Sequence, residues 1–229
     1  MFLVEFYPCL AINKYYLITD ESLCSSSPVF DPENVVVAAL DPRIYVYENF
    51  LSEEECEYII ELGNKQGLSR SEVAASDNNS KSEARTSYGT FLEPNDPILQ
   101  RIEQRIAVWS QIPQDHGEPF YLLRYSIGQE YKPHWDYFDP KLPGMDRYIG
   151  KSGQRTATVL IYLHTPVSGG ETTFPKSDIL VPAVQGTAVL FWSHTNDHKL
   201  DGNSLHGSLP VKEGIKYCCT KWIRENKWN

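Results

Sequence analysis

Arg155-Thr156-Ala157-Thr158-Val159-Leu160-Ile161-Tyr162-Leu163-His164 decides the fold class. Val, Ile, Tyr and Thr dominate the run, and these side chains pack well on a pleated surface, so it reads as a β-strand. Residues 120–127, 131–137, 179–184, 187–192, 204–211 and 215–223 share that texture, with Gly- and Pro-containing turns between them. Upstream the pattern changes. Ser52 is a good helix N-cap, and Glu55 three residues on completes a capping box, with Cys56, Ile59, Ile60 and Gly63 on one side and Gly67 as the stop. Asp96-Pro97 opens a second helix, along which Ile98, Leu99, Ile102, Ile106 and Trp109 recur at helical spacing until Pro113. Two helices followed by a series of short strands predict a mainly β protein with flanking helices, built as a sandwich or jelly roll.

The chain has 229 residues, enough for one domain of generous size. We expect residues 1–40, including Ser25-Ser26-Ser27-Pro28, to be a tail or accessory segment, and the domain proper to span 41–229. Phe2 to Ile12 is apolar, but Glu5 and Pro8 interrupt it and no basic residue precedes it, so neither a secretory signal nor a membrane anchor is expected. Residues 69–83 are polar and read as a mobile loop; within them Asn78-Asn79-Ser80 has the form of a glycosylation acceptor. The net charge, 21 − 30 = −9, disfavours a general nucleic-acid binder. Five cysteines at 9, 24, 56, 218 and 219 show no regular spacing. No disulfide framework or cysteine-based zinc site is expected, and the balance leans to a reducing, cytoplasmic setting, with the secretory pathway left open.

His134-Trp135-Asp136 falls on an expected strand, where residues i and i+2 point the same way, so imidazole and carboxylate converge. His206 lies on another expected strand. Two His and one carboxylate make the facial triad that holds Fe(II) with open positions. By itself, though, a His-x-Asp pair is equally consistent with a surface hydrogen bond or a turn. Lys216 adds weight. It shares a strand face with Cys218, Thr220 and Trp222, while Tyr217, Cys219 and Ile223 occupy the other. Both faces look buried, and an ammonium there needs an anion unless it snorkels to solvent. At ~4 Å a carboxylate would return on the order of 4 kcal/mol. His194 and His198 sit in a polar turn and are expected to be solvated.

Tyr131-Lys132-Pro133-His134-Trp135-Asp136, Gly169-Gly170-Glu171-Thr172, Ser204-Leu205-His206-Gly207 and Thr220-Lys221-Trp222-Ile223, together with Arg85-Thr86-Ser87 and Arg155–Leu160, resemble the prolyl 4-hydroxylases in the same order. The resemblance covers about residues 41–229. It implies a double-stranded β-helix (jelly-roll) core, Fe(II), 2-oxoglutarate as co-substrate and stimulation by ascorbate. It further implies that His134, Asp136 and His206 bind the metal, that Lys216 binds the distal carboxylate of 2-oxoglutarate, and that Tyr125 and Thr158 assist it. Tyr131 and Trp222 match residues lining the substrate groove, Tyr131 also being a candidate catalytic group, and Arg85 and Ser87 match a segment that contacts the peptide. The implied reaction hydroxylates prolyl residues of a proline-rich peptide or protein to 4-hydroxyproline, releasing succinate and carbon dioxide. A related dioxygenase acting on a free amino acid or small metabolite, and a catalytically dead peptide-binding module, are the alternatives. The family pattern usually carries alanine and tryptophan where Cys219 and Tyr217 stand. The linker between Asp136 and Arg155 reads as a lid.

Overall fold

The computed structural model describes residues 31–73 and 83–228. The apolar run at 2–12, the Ser25–Pro28 segment, Cys9, Cys24, the Asn78 triplet and most of the 69–83 loop lie outside the described residues. In chain order the elements are β1 (Val35–Leu40), β2 (Arg43–Tyr47), α1 (Glu53–Gln66), β3 (Ser69–Arg70), β4 (Tyr88–Phe91), α2 (Pro97–Ser110), β5 (Tyr121–Tyr125), β6 (Tyr131–His134) and α3 (Asp146–Ile149). Then follow β7 (Arg155–His164), β8 (Ser168–Gly169), β9 (Thr172–Phe174), β10 (Ile179–Val181), β11 (Ala188–Trp192), β12 (His206–Ser208), β13 (Val211–Glu213) and β14 (Lys216–Arg224).

Both helices start where their caps dictate. Ser52 Oγ accepts from Glu55 N and Glu55 Oε2 accepts from Ser52 N, the reciprocal pair of a capping box. Asp96 accepts from Ile98 N and Leu99 N, with Pro97 at the first helical position. Cys56, Ile59, Leu99, Ile102, Ile106 and Trp109 are buried against one face of the large sheet.

That sheet has eight strands in the order β1-β2-β11-β7-β14-β5-β4-β3. A second sheet, β10-β9-β12-β6, covers its other face, giving the jelly-roll core. Period-two alternation divides the strands between two cores. Along β7, Ala157, Val159, Ile161 and Leu163 face the helices, whereas Leu160 and Tyr162 face the small sheet. Along β14, Cys219 and Ile223 take the helix side, and Cys218 and Trp222 the inter-sheet side. Cys56, Cys218 and Cys219 are free and buried. The expected domain start at 41 falls in the hairpin between β1 and β2, so the sheet gains an edge strand from upstream residues. Val36, Val37 and Leu40 on that strand are exposed.

Several expected strands are shorter in the structure; residues 120–127, for one, keep only Tyr121–Tyr125. Residues 131–137 end as a strand at His134, and Asp136 sits in the following bend. Residues 204–211 split into β12 and β13 because Pro210 has no N–H to donate; Ser204 belongs to a short 3₁₀ turn capped by Asp201. Residues 179–184 stop before Pro182. The linker after Asp136 is anchored: Phe138 and Met145 are buried, Phe138 stacks on Tyr148, and Arg224 donates to the carbonyls of Tyr148 and Gly153. His194 is buried rather than solvated, with Thr156 Oγ1 3.4 Å from its Nδ1 and Glu225 Oε1 3.7 Å from its Nε2. Among the described residues no helix is long and apolar enough to cross a membrane.

Lys221, on the helix side of β14, is buried and paired with Glu103 of α2. Removing one partner of a buried pair strands the other charge. Glu103→Gln is therefore expected to cost about 3–5 kcal/mol, read as a lower urea midpoint. An unchanged midpoint would show that the ammonium finds solvent instead.

Candidate active site

β12 and β6 pair antiparallel, and their register places His206 directly opposite His134. A Cβ on Gly207 would lie 2.8 Å from the Tyr131 carbonyl oxygen, so glycine is what lets the two strands approach. The imidazole centroids are 4.4 Å apart. His134 Nδ1 is 2.9 Å from the Lys132 carbonyl and His206 Nδ1 is 3.0 Å from the Ser204 carbonyl. A carbonyl only accepts, so each Nδ1 carries the hydrogen and each neutral ring presents a lone pair at Nε2. Those lone pairs face Asp136, at 3.6 Å to Oδ1 from His134 and 3.6 Å to Oδ2 from His206. That separation is too long for a hydrogen bond and suits ligands around one ion. All three donor atoms lie within 4.8 Å of one another.

Protonation favours this role. Burial pushes His206 down to about 4, against the pull of Asp136, so its ring is neutral at pH 7. Burial alone would raise the Asp136 carboxyl, but His206, His134 and Arg155 hold it well below the usual carboxylate range. The donor set therefore fits Fe(II) chemistry: two imidazoles, each with Nδ1 turned to a backbone carbonyl and Nε2 turned to the cluster, and one carboxylate.

Neighbouring groups fix the ligands. Tyr131 stacks on His134 with centroids 3.5 Å apart, and Phe191 packs on His206 at 4.4 Å. Thr158, expected beside the co-substrate, lines the same cavity, and its Oγ1 donates to Asp136 Oδ2 at 2.7 Å. Trp135 turns outward and donates through Nε1 to the Gly202 carbonyl.

Lys216 lines this cavity too, 1 % exposed. Its Nζ donates to the Gly170 carbonyl at 2.7 Å and to Ser208 Oγ at 2.9 Å, and it lies over the rings of Tyr125 and Tyr162 at 5.2 and 5.4 Å. Burial lowers its pKa, opposed by Cys218 and by Glu171, which makes no ion pair with it. Tyr125 is buried and lines the cavity. Thr172, which accepts from the Tyr162 hydroxyl at 2.7 Å, lines it too. Ser208, Thr172 and Tyr162 escaped the sequence reading, because a hydroxyl on a strand looks ordinary until the register is known.

At the wall of the cavity Arg85 is held between the rings of Tyr121 and Tyr131, at 5.1 and 4.7 Å, and its residue bridges to Tyr131. Trp222 lies under Arg155, whose guanidinium is 3.8 Å from the ring centroid and is clamped by Glu118 at 2.7 and 2.8 Å. Arg85 Nε and Trp222 Nε1 are buried donors with no partner among the described residues. Ser87 does not line the cavity. It is fully buried, bonded to Ser71 and acting on Tyr125, so it can reach a substrate only through those neighbours.

Residues 120–224 match the model of the 2OG-Fe(II) oxygenase superfamily. Probable prolyl 4-hydroxylase 4 of Arabidopsis thaliana is 38 % identical over 99 % of this chain and 82 % of its own length. Prolyl 4-hydroxylase 1 of the same plant is 42 % identical over 82 % of this chain and 71 % of its own. Among solved structures, the viral collagen prolyl hydroxylase from Paramecium Bursaria Chlorella virus-1, in its 2OG complex, superposes with a TM-score of 0.63 at 28 % identity, covering 79 % of this chain and 95 % of that one.

Losing a group that orients a metal ligand commonly weakens metal binding 10–100-fold. Thr158→Val is expected to do so, measured by Zn(II) or Co(II) titration, whereas Thr158→Ser retains affinity. Wild-type affinity in the valine variant would show that Asp136 needs no hydroxyl to hold it.

Proposed function

We propose a function from one premise: the chain belongs to the prolyl 4-hydroxylase family of 2OG-Fe(II) oxygenases. It is an Fe(II)/2-oxoglutarate-dependent dioxygenase. Its reaction is the hydroxylation of prolyl residues to 4-hydroxyproline, with 2-oxoglutarate converted to succinate and carbon dioxide. The observation that carries this reading is one cavity with a His134–Asp136–His206 cluster at one side and a buried lysine, without an acidic partner among the described residues, at another.

Bound iron supplies the oxygen activation that protein side chains lack. His134, Asp136 and His206 would hold it, and ascorbate would keep it ferrous. Lys216 binds the distal carboxylate of 2-oxoglutarate, assisted by Tyr125, which lines the same cavity. Thr158 serves the site by orienting Asp136. The dioxygenase domain in this reading is 41–229, with Val35–Leu40 as an added edge strand.

The substrate is a proline-rich peptide or protein. Such a segment is pre-ordered as polyproline II, so an aromatic wall of Tyr131 and Trp222 binds it at low entropic cost. Tyr131, flat against His134, positions the target proline at the metal face. Ser87 supports the wall from behind.

Succinate release with Fe(II) and 2-oxoglutarate across proline-rich peptides, with mass analysis, tests the reading: a gain of 16 Da at proline is expected, and His134→Ala abolishes it. Lys216→Ala removes a buried charge contact and is expected to raise the KM for 2-oxoglutarate about 30-fold or more. An unchanged KM for the co-substrate removes Lys216 from this role, and succinate without any hydroxylated peptide would point to a small-molecule substrate.

A further inference from the structure

Ser208 stands two residues beyond His206 on β12, and alternate positions of a strand face the same way. The β12–β6 register shifts between the two residues, yet both line the one cavity, so β12 carries a candidate metal ligand and, roughly 6.4–6.8 Å along the strand, a hydroxyl in contact with the ammonium of Lys216. That spacing is close to the length of a five-carbon 2-oxo diacid between its keto end and its far carboxylate. The hydroxyl is well placed by its backbone. Ser208 pairs with Thr172 on β9 and with Tyr131 on β6, so strands on both sides hold it. Gly207, where a Cβ would lie 2.8 Å from the Tyr131 carbonyl oxygen, lets β12 run close against β6.

The hydrogen-bond inventory completes the case. Lys216 has three N–H donors and uses two, on Gly170 O and Ser208 Oγ. Ser208 Oγ is thus an acceptor towards Lys216, and its own hydrogen remains available. The acceptor within reach of it among the described residues is Leu209 O at 3.5 Å, a poor contact. Lys216 and Ser208 together offer one ammonium hydrogen and one hydroxyl hydrogen in the same cavity. A carboxylate, with two oxygens that only accept, matches that pair.

We propose that Ser208 is a co-substrate-binding residue that, with Lys216, fixes the chain length of the 2-oxo acid this site accepts. It rests on reading the cavity as a 2-oxoglutarate site. The hydroxyl donates to one oxygen of the far carboxylate while the ammonium takes the other. A six-carbon homologue then drives its carboxylate into the clamp, and removal of the serine oxygen relaxes that limit.

The test is calorimetric and needs no turnover: 2-oxoglutarate and 2-oxoadipate are titrated into the Zn(II)-loaded full chain. A hydrogen bond to a charged group is worth enough to predict about 10-fold weaker 2-oxoglutarate binding for Ser208→Ala. Ser208→Thr should stay within about threefold, since it keeps the hydroxyl. Zn(II) affinity is expected to stay within about twofold, and the preference for 2-oxoglutarate over 2-oxoadipate to shrink. Equal 2-oxoglutarate affinity in wild type and Ser208→Ala overturns the proposal, as does a parallel loss of Zn(II) affinity, which would make the serine merely structural. A wild-type protein that binds Zn(II) but no 2-oxoglutarate overturns the underlying reading of the cavity instead.

Discussion

Three electron-rich atoms crowded into one buried place repel one another unless a cation joins them. Backbone carbonyls hold both imidazoles in the tautomer that turns a lone pair inward, and Thr158 holds the carboxylate against them. The surrounding structure over-determines this cluster. Tyr131 and Phe191 prevent the rings from swinging away, and the β6–β12 register sets their separation. Stability here is traded for readiness to bind, as preorganised sites require.

Lys216 presents the same logic with opposite sign. A strand buried on both faces would ordinarily exclude an ammonium, yet this one is tolerated through a carbonyl, a hydroxyl and two aromatic faces. Contrast Lys221 on the other face of the same strand, which has a carboxylate of its own. One lysine is neutralised by a carboxylate of the fold; the other has no carboxylate partner among the described residues. Arg155, engaged by Glu118 yet lying flat on Trp222, shows a third solution, in which the charge is neutralised from one side and spends its planar face on the cavity wall.

Local signals were legible and distant ones were not. Ser52, Glu55 and Asp96 announced both helices because capping is settled within four residues. The two-residue spacing of His134 and Asp136 was visible, but the end of β6 was not, since the bend carrying Asp136 is held by Thr158, 22 residues away. Pro210 is a local mark of the break between β12 and β13, since it has no N–H for the ladder. Ser208 and Tyr162 carry no local mark at all; only register brings them to Lys216. His194 looked like part of a solvated turn because Glu225, its partner, lies 31 residues downstream. Cys218 and Cys219 were correctly kept apart, since neighbours on a strand look into different cores.

Gly207 sets how near the two histidine-bearing strands can lie. A Cβ there would meet the Tyr131 carbonyl oxygen at 2.8 Å and the Pro133 nitrogen at 3.0 Å, so any side chain would force backbone beside both imidazoles to shift. The spacing of the two rings thus depends on an atom that is missing: empty space at one residue does the work that a contact does elsewhere in the cluster.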